Sequence, residues 1–167
     1  MTAGDAAAGG SERPVVAAGT ALGVGLGGFV DGILFHQILQ LHSMLSAEYP
    51  TRGVPAADLA VNLEINMFWD GLFHALTWAF TAAGVAMLWN AARRPAAVLR
   101  TRTFVGSLLL GWGLFDVVEG VIDHHLLHIH HVIEIPGHLP YDVAFLAFGA
   151  ALIVAGLWLI RERPAGA

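Results

Sequence analysis

The stretch D-V-V-E-G-V-I-D-H-H-L-L-H-I-H-H, residues 116–131, decides how this chain is read. It closes an apolar run that begins near Thr103, and it holds most of the chain's histidines together with Asp116, Glu119 and Asp123. The chain around it is 56% hydrophobic and only 13% charged, with a mean hydropathy of +0.66. A soluble domain carries about 25% charged residues. That shortage, with several long apolar runs, predicts an integral membrane protein. Histidines and carboxylates gathered at the end of a membrane helix then need a chemical reason, and the reading is a metal site.

The chain has no cysteine, which excludes disulfides, thiolate ligands and iron–sulfur clusters. Any metal must be held by His, Asp, Glu, Met, backbone or water. Outward from the histidine stretch, four spans are expected at residues 15–41, 56–90, 104–131 and 141–160. They form a single membrane domain over residues 15–163, between a disordered tail at 1–14 and a short tail at 164–167. The first run reads as a retained helix rather than a signal peptide. Asp5, Glu12 and Arg13 give its flank no positive bias, and the run continues through Asp31 and His36. Its many glycines suit close helix packing, and Pro50, Gly53, Pro55, Pro95, Pro136 and Pro140 mark the connections. The expected fold is an all-α integral membrane protein, a four-transmembrane-helix bundle.

Every fixed positive charge is an arginine. Arg93, Arg94, Arg100 and Arg102 lie between the second and third spans, Arg161 and Arg163 at the C-terminus, and Arg13 at the start. Only Arg52 lies in the other two connections. The positive-inside rule then puts both termini in the cytoplasm and the histidine-rich end on the extracytoplasmic side, as in a bacterial inner membrane.

Ionisable residues inside spans are functional candidates by default. The first span has Asp31 and His36. The second has Asn62, Asn66, Asp70 and His74, spaced by four on one stripe, and the third has Asp116, Glu119, Asp123, His124 and His128. At about 1.5 Å per residue, three helices place such groups in one layer of the outer half of the bilayer. The expected metal ligands are His36, Asp70, His74, Glu119, Asp123, His124 and His128. Asp70 also reads as a residue that orients a histidine, and Glu119 and Asp123 as a proton relay. At about 100° per residue, Asp31 and His36 stand roughly 140° apart, so the two need not reach the same centre. Asp31 therefore reads equally as a packing partner. Asn62 and Asn66 read as interhelical hydrogen-bonding residues. His42, His130, His131 and His138 read as polar residues at the water boundary, and His125 as marginal.

A His and carboxylate ligand set suits copper or iron, with zinc also compatible. Haem held by two axial histidines is a rival that the neighbouring carboxylates disfavour. Two functions fit: a redox enzyme acting on dioxygen, superoxide or a quinol, and a non-catalytic protein that binds or delivers copper or zinc outside the cytoplasm, with His42, His130, His131 and His138 as its entry ligands. Four short helices suggest a homo-oligomer, lipids are the obvious surroundings, and no nucleic-acid signature is present.

Three stretches carry a resemblance: G-F-V-D-G-I-L-F-H-Q-I-L-Q-L-H at residues 28–42, W-D-G-L-F-H at 69–74, and the opening stretch at 116–131. Through them the chain resembles an uncharacterised family of bacterial four-helix predicted membrane proteins, a domain of unknown function. The resemblance implies the four-span topology. It also implies an association with copper handling and respiratory-oxidase assembly, and hence a respiratory-chain partner.

Overall fold

The computed structural model describes residues 11–161. Four helices run along the bundle. Helix α1, Arg13–Val30, continues without a break into a π-helical segment, Asp31–Ile38. Helix α2 is Ala56–Ala92. Helix α3, Thr101–Glu119, likewise continues into a π-helical segment, Gly120–Leu126. Helix α4 is Leu139–Arg161. Each of the four is long and apolar enough to cross a membrane.

The boundaries differ from expectation in two informative places. The first helix already begins at Arg13, with Pro14 in its first turn, where a proline's missing N–H costs nothing. Residues 1–10 and 162–167, which include most of both expected tails, lie outside the described residues. The third helix stops at Leu126, short of residue 131, because His128 adopts a left-handed conformation (φ 51°) and turns the chain.

Helices α1 and α3 form the central pair, with α2 packed on α1 and α4 packed on α3. Small residues set these distances. A side chain at Gly23 would collide with the carbonyl of Leu108, and one at Gly111 with the carbonyl of Thr20. The two helices therefore touch backbone to backbone, as small-residue membrane interfaces do. The outer helices present Phe68, Leu76, Trp78, Val154 and Trp158 outward, the apolar surface that lipid requires.

These contacts disclose an internal repeat that hydropathy patterning leaves hidden. Residue n of α1 corresponds to residue n + 88 of α3, so Thr20 matches Leu108 and Gly23 matches Gly111. Gly25 lies against Thr77 O and Thr81 N, and its counterpart Gly113 against Gly149 O and Ile153 N. Residues of α2 and α4 therefore correspond at an offset of 72. The chain is a helical hairpin present twice. The reciprocal contacts between the copies are those of an approximate two-fold interface, in which i meets j and j meets i. Two parallel copies of this kind share an axis along the bundle.

The end of the bundle that carries the arginines is tied by short polar contacts. Ser11 N–H donates to Ala96 O over 2.9 Å, Thr103 Oγ1 donates to Glu12 Oε2 over 2.9 Å, and Arg100 pairs with Glu12 at 3.2 Å. Both described chain ends lie there, opposite the histidines.

Gly111→Leu is expected to wedge α1 from α3 and lower thermal stability in detergent by several kcal/mol, on the scale of a severely overpacked core. Gly71→Ala, at a glycine with open space around it, is the control. It should be neutral or stabilising by up to about 1 kcal/mol through helix propensity. Equal melting temperatures for the two variants would mean that the close backbone contact does not hold the bundle together.

Candidate metal centre

The site is built where the two π-helical segments face each other. In an α-helix, residues i and i+5 point in different directions. A π-helix bonds i to i+5 and so stacks them on one face. Asp31 and His36 are related in this way, and His36 Nε2 lies 3.1 Å from Asp31 Oδ2. Glu119 and His124 repeat the relation 88 residues on, at 3.2 Å. This corrects the angular expectation for Asp31 and His36, which rested on α-helical winding.

Beyond each π-helical segment the chain reverses. Gln40 (φ 49°) and its counterpart His128 (φ 51°) both take left-handed conformations, at a cost of roughly 1–2 kcal/mol each for a residue with a Cβ. The reversal brings His42 and His130 back over the helix ends. His42 is 4% exposed and His130 0% exposed, so neither lies at a water boundary. Each is fastened to the opposite copy. His42 Nδ1 donates to Val132 O over 2.9 Å, and His130 Nδ1 to Met44 O over 3.1 Å. Residues 44 and 132 are themselves equivalent, so the pair of bonds is reciprocal. The two imidazoles stack with centroids 4.8 Å apart and planes 9° apart.

Two triads result, Asp31/His36/His42 and Glu119/His124/His130, each buried and each with its ligand atoms within 4.8 Å of one another. All six residues come from one chain. Outer carboxylates hold the other side of two histidines. Asp70 on α2 accepts from His36 Nδ1 at 3.0 Å and from Met44 N–H at 2.8 Å. Asp142 on α4, its counterpart, accepts from Val132 N–H at 2.9 Å and faces His124 Nδ1 at 3.5 Å. With His36 Nδ1 engaged in this way, its Nε2 is left to point inward, as in metal-bound histidines oriented by a carboxylate or carbonyl; His124 Nδ1 faces Asp142 without a hydrogen bond.

The inner atoms are what a cation would satisfy. Nε2 of His36 and His42, both ring nitrogens of His124 and Oε2 of Glu119 are buried and make no hydrogen bond among the described residues, although His36 and His124 Nε2 lie 3.1 and 3.2 Å from the Asp31 and Glu119 carboxylates. Buried polar groups are rarely left so, and each is expensive. His130 Nε2 instead donates to Glu119 Oε1 over 2.8 Å. Burial, with His130 and His36 beside it, holds the His42 imidazole well below its ordinary pKa. Burial also opposes charge on His130, but its bond to Glu119 and that carboxylate's charge outweigh it and raise its pKa.

A cavity of about 570 Å³ opens beside the first triad, where His36, Gln37, Gln40, His42, Arg52 and Asp70 are among its lining. Arg52 donates to Gln40 O at its edge.

Of the seven ligands expected from the sequence, the structure brings His36, Glu119 and His124 into the cluster. It places Asp70 behind His36. Three are not brought together with them. His74 donates from Nδ1 to the Asp70 carbonyl one turn away, at 2.7 Å, and lies beside Gly32. Asp123 is half-buried, and its carbonyl accepts from Ile129 N–H. His128 is exposed at the turn. Asp31, His42 and His130 complete the cluster, and Asp142 supports it. The signal that could have found them is the repeat itself: D-G-x-x-x-H-x-x-x-x-x-H at residues 31–42 and E-G-x-x-x-H-x-x-x-x-x-H at 119–130.

No curated protein and no solved structure matches the chain. A family model described as "Predicted membrane protein (DUF2243)" matches residues 18–163, a span that contains both triads and most of all four helices, and the chain belongs to that family.

Proposed function

We propose that the protein is a membrane metalloprotein with a two-ion centre, one transition-metal ion per triad, that works as an oxidoreductase. The observation that carries this reading is the convergence of four buried imidazoles on two buried carboxylates, with several of their ring nitrogens making no hydrogen bond. Two imidazoles and one carboxylate make a three-ligand site for copper, iron or zinc with positions left over. Without a cation, that many buried ionisable groups would be hard to stabilise. The first triad adjoins the cavity, which supplies a route for dioxygen, superoxide or a quinol. Glu119 accepts from His130 Nε2, so an ion entering the second triad must displace that proton. The arginines at the opposite end support an extracytoplasmic centre.

Protein purified in detergent from metal-replete cells is expected to keep two tightly held ions per chain through gel filtration, as counted by elemental analysis. His36→Ala and His124→Ala should each lose at least one, whereas His74→Ala should keep both. His128→Gly should also keep both and melt no lower, since glycine relieves the left-handed turn. Metal loss from His128→Gly with retention in His124→Ala would displace the site from the two triads. Zinc as the sole native metal, with no optical or paramagnetic change between ascorbate and ferricyanide, would remove the redox chemistry and leave metal binding.

The supporting carboxylates generate a separate expectation. Asp70→Ala should weaken metal affinity about 10- to 100-fold in a chelator competition without changing the number of ions at saturation, the usual result of removing a group that orients a histidine ligand.

A further inference from the structure

The two copies of the hairpin differ most where their supporting carboxylates face outward. In the first copy, Asp70 holds His36 and one backbone N–H. The positions flanking it are Ser43 and Asn66. Asn66 accepts from Leu45 N–H and donates to Tyr49 O, and Ser43 takes part in the turn with Ser46. Both are ordinary loop fasteners. In the second copy the equivalent positions are His131 (43 + 88) and His138 (66 + 72). Their Nδ1 atoms lie 2.9 and 2.7 Å from the same oxygen, Asp142 Oδ2. Their rings lie face to face with centroids 3.4 Å apart.

The first copy shows that the carboxylate needs neither imidazole for its structural work. One Asp suffices there to hold a histidine and to receive a backbone N–H. The second copy has nonetheless placed two imidazoles on one carboxylate oxygen, at ligand spacing. Asp142 is fully buried and His131 nearly so, whereas the His138 side chain is 35% exposed at the histidine end of the bundle. The other oxygen of the same carboxylate faces His124 of the inner triad.

We infer that His131, His138 and Asp142 form a third transition-metal site, open to water, from which ions are passed to the inner centre. Its ligand class is two imidazoles and one carboxylate, suited to zinc(II) or copper(II), with the exposed side left for water. The site is exchangeable because its His138 side chain is 35% exposed, whereas the residues of the inner triads are buried. Asp142 is common to both and so links them. The passing of ions rests on the two-ion reading above; the third site itself does not.

The test uses full-length protein in detergent and zinc(II) alone, titrated against a chromophoric chelator. Wild type is expected to take up one readily exchangeable zinc beyond its tight ions. The double variant His131→Ser, His138→Asn gives the second copy the residues that the first copy uses, so the fold should be kept. It should lose the exchangeable zinc, keep the tight ions, melt as wild type does, and reload at least 10-fold more slowly after metal depletion. His124→Ala, damaged in the inner centre, should still bind the exchangeable zinc. Unchanged exchangeable binding in the double variant, or none in wild type, would overturn the third site. Loss of that zinc with reloading at the wild-type rate would overturn the passing of ions. Absence of tight ions with the exchangeable zinc intact would instead overturn the two-ion centre.

Discussion

Everything at the histidine end depends on a change of helical winding. Had α1 and α3 remained α-helical to their tips, Asp31 would look away from His36, and Glu119 from His124. Five-residue hydrogen bonding at Asp31–Ile38 and Gly120–Leu126 brings each carboxylate under its histidine. Such winding is rare, since it is less well packed than an α-helix, and it is found disproportionately at functional sites. Here it occurs twice, at equivalent positions, with a left-handed residue (Gln40 or His128) two residues after each segment. A local backbone irregularity retained in both copies of a repeat is hard to ascribe to accidental packing.

The repeat also explains how so many ionisable groups share an apolar bundle. Each copy supplies three inward groups and one outer carboxylate, and each copy's last histidine is fixed by the other's backbone. The inner imidazoles therefore have little freedom to turn away and find other partners. Fixing the rings before any ion arrives is what lets a site hold metal tightly without rearranging. The price of this order is that several atoms of the two triads are buried without a hydrogen bond, where a cation would relieve them.

Much of the fold was legible from the sequence, because the bilayer constrains it so strongly. Four apolar runs, proline-marked connections and the placement of arginines were enough for the number of helices and for the shared location of the two described chain ends. The site was legible in part. His36, Glu119 and His124 stand out as ionisable groups inside apolar runs. His74 and Asp123 do too, but the first turns back to its own helix and the second is left aside by the wider winding. His128 was read on a helical face that does not exist, because the helix has ended by Leu126. His42 and His130 lie past the helix ends, where a depth count assigns them to water. Only the reversal at Gln40 and His128, which no hydropathy pattern encodes, folds them inward. The correspondence of residues 31–42 with 119–130 was visible in principle, but just a few residues in it are identical.

The connection between α2 and α3 lies at the arginine end, far from the two triads, and it is the covalent join between the two hairpins. A centre assembled from both hairpins would otherwise depend on two membrane-embedded pieces meeting by diffusion. The tether makes that encounter intramolecular, so the seam between α1 and α3 can be built from glycine contacts of modest strength and still stay closed. It also leaves the histidine end free of any chain crossing from one hairpin to the other. There the two halves are held to each other by non-covalent contacts alone, such as the hydrogen bonds of His42 with Val132 O and His130 with Met44 O.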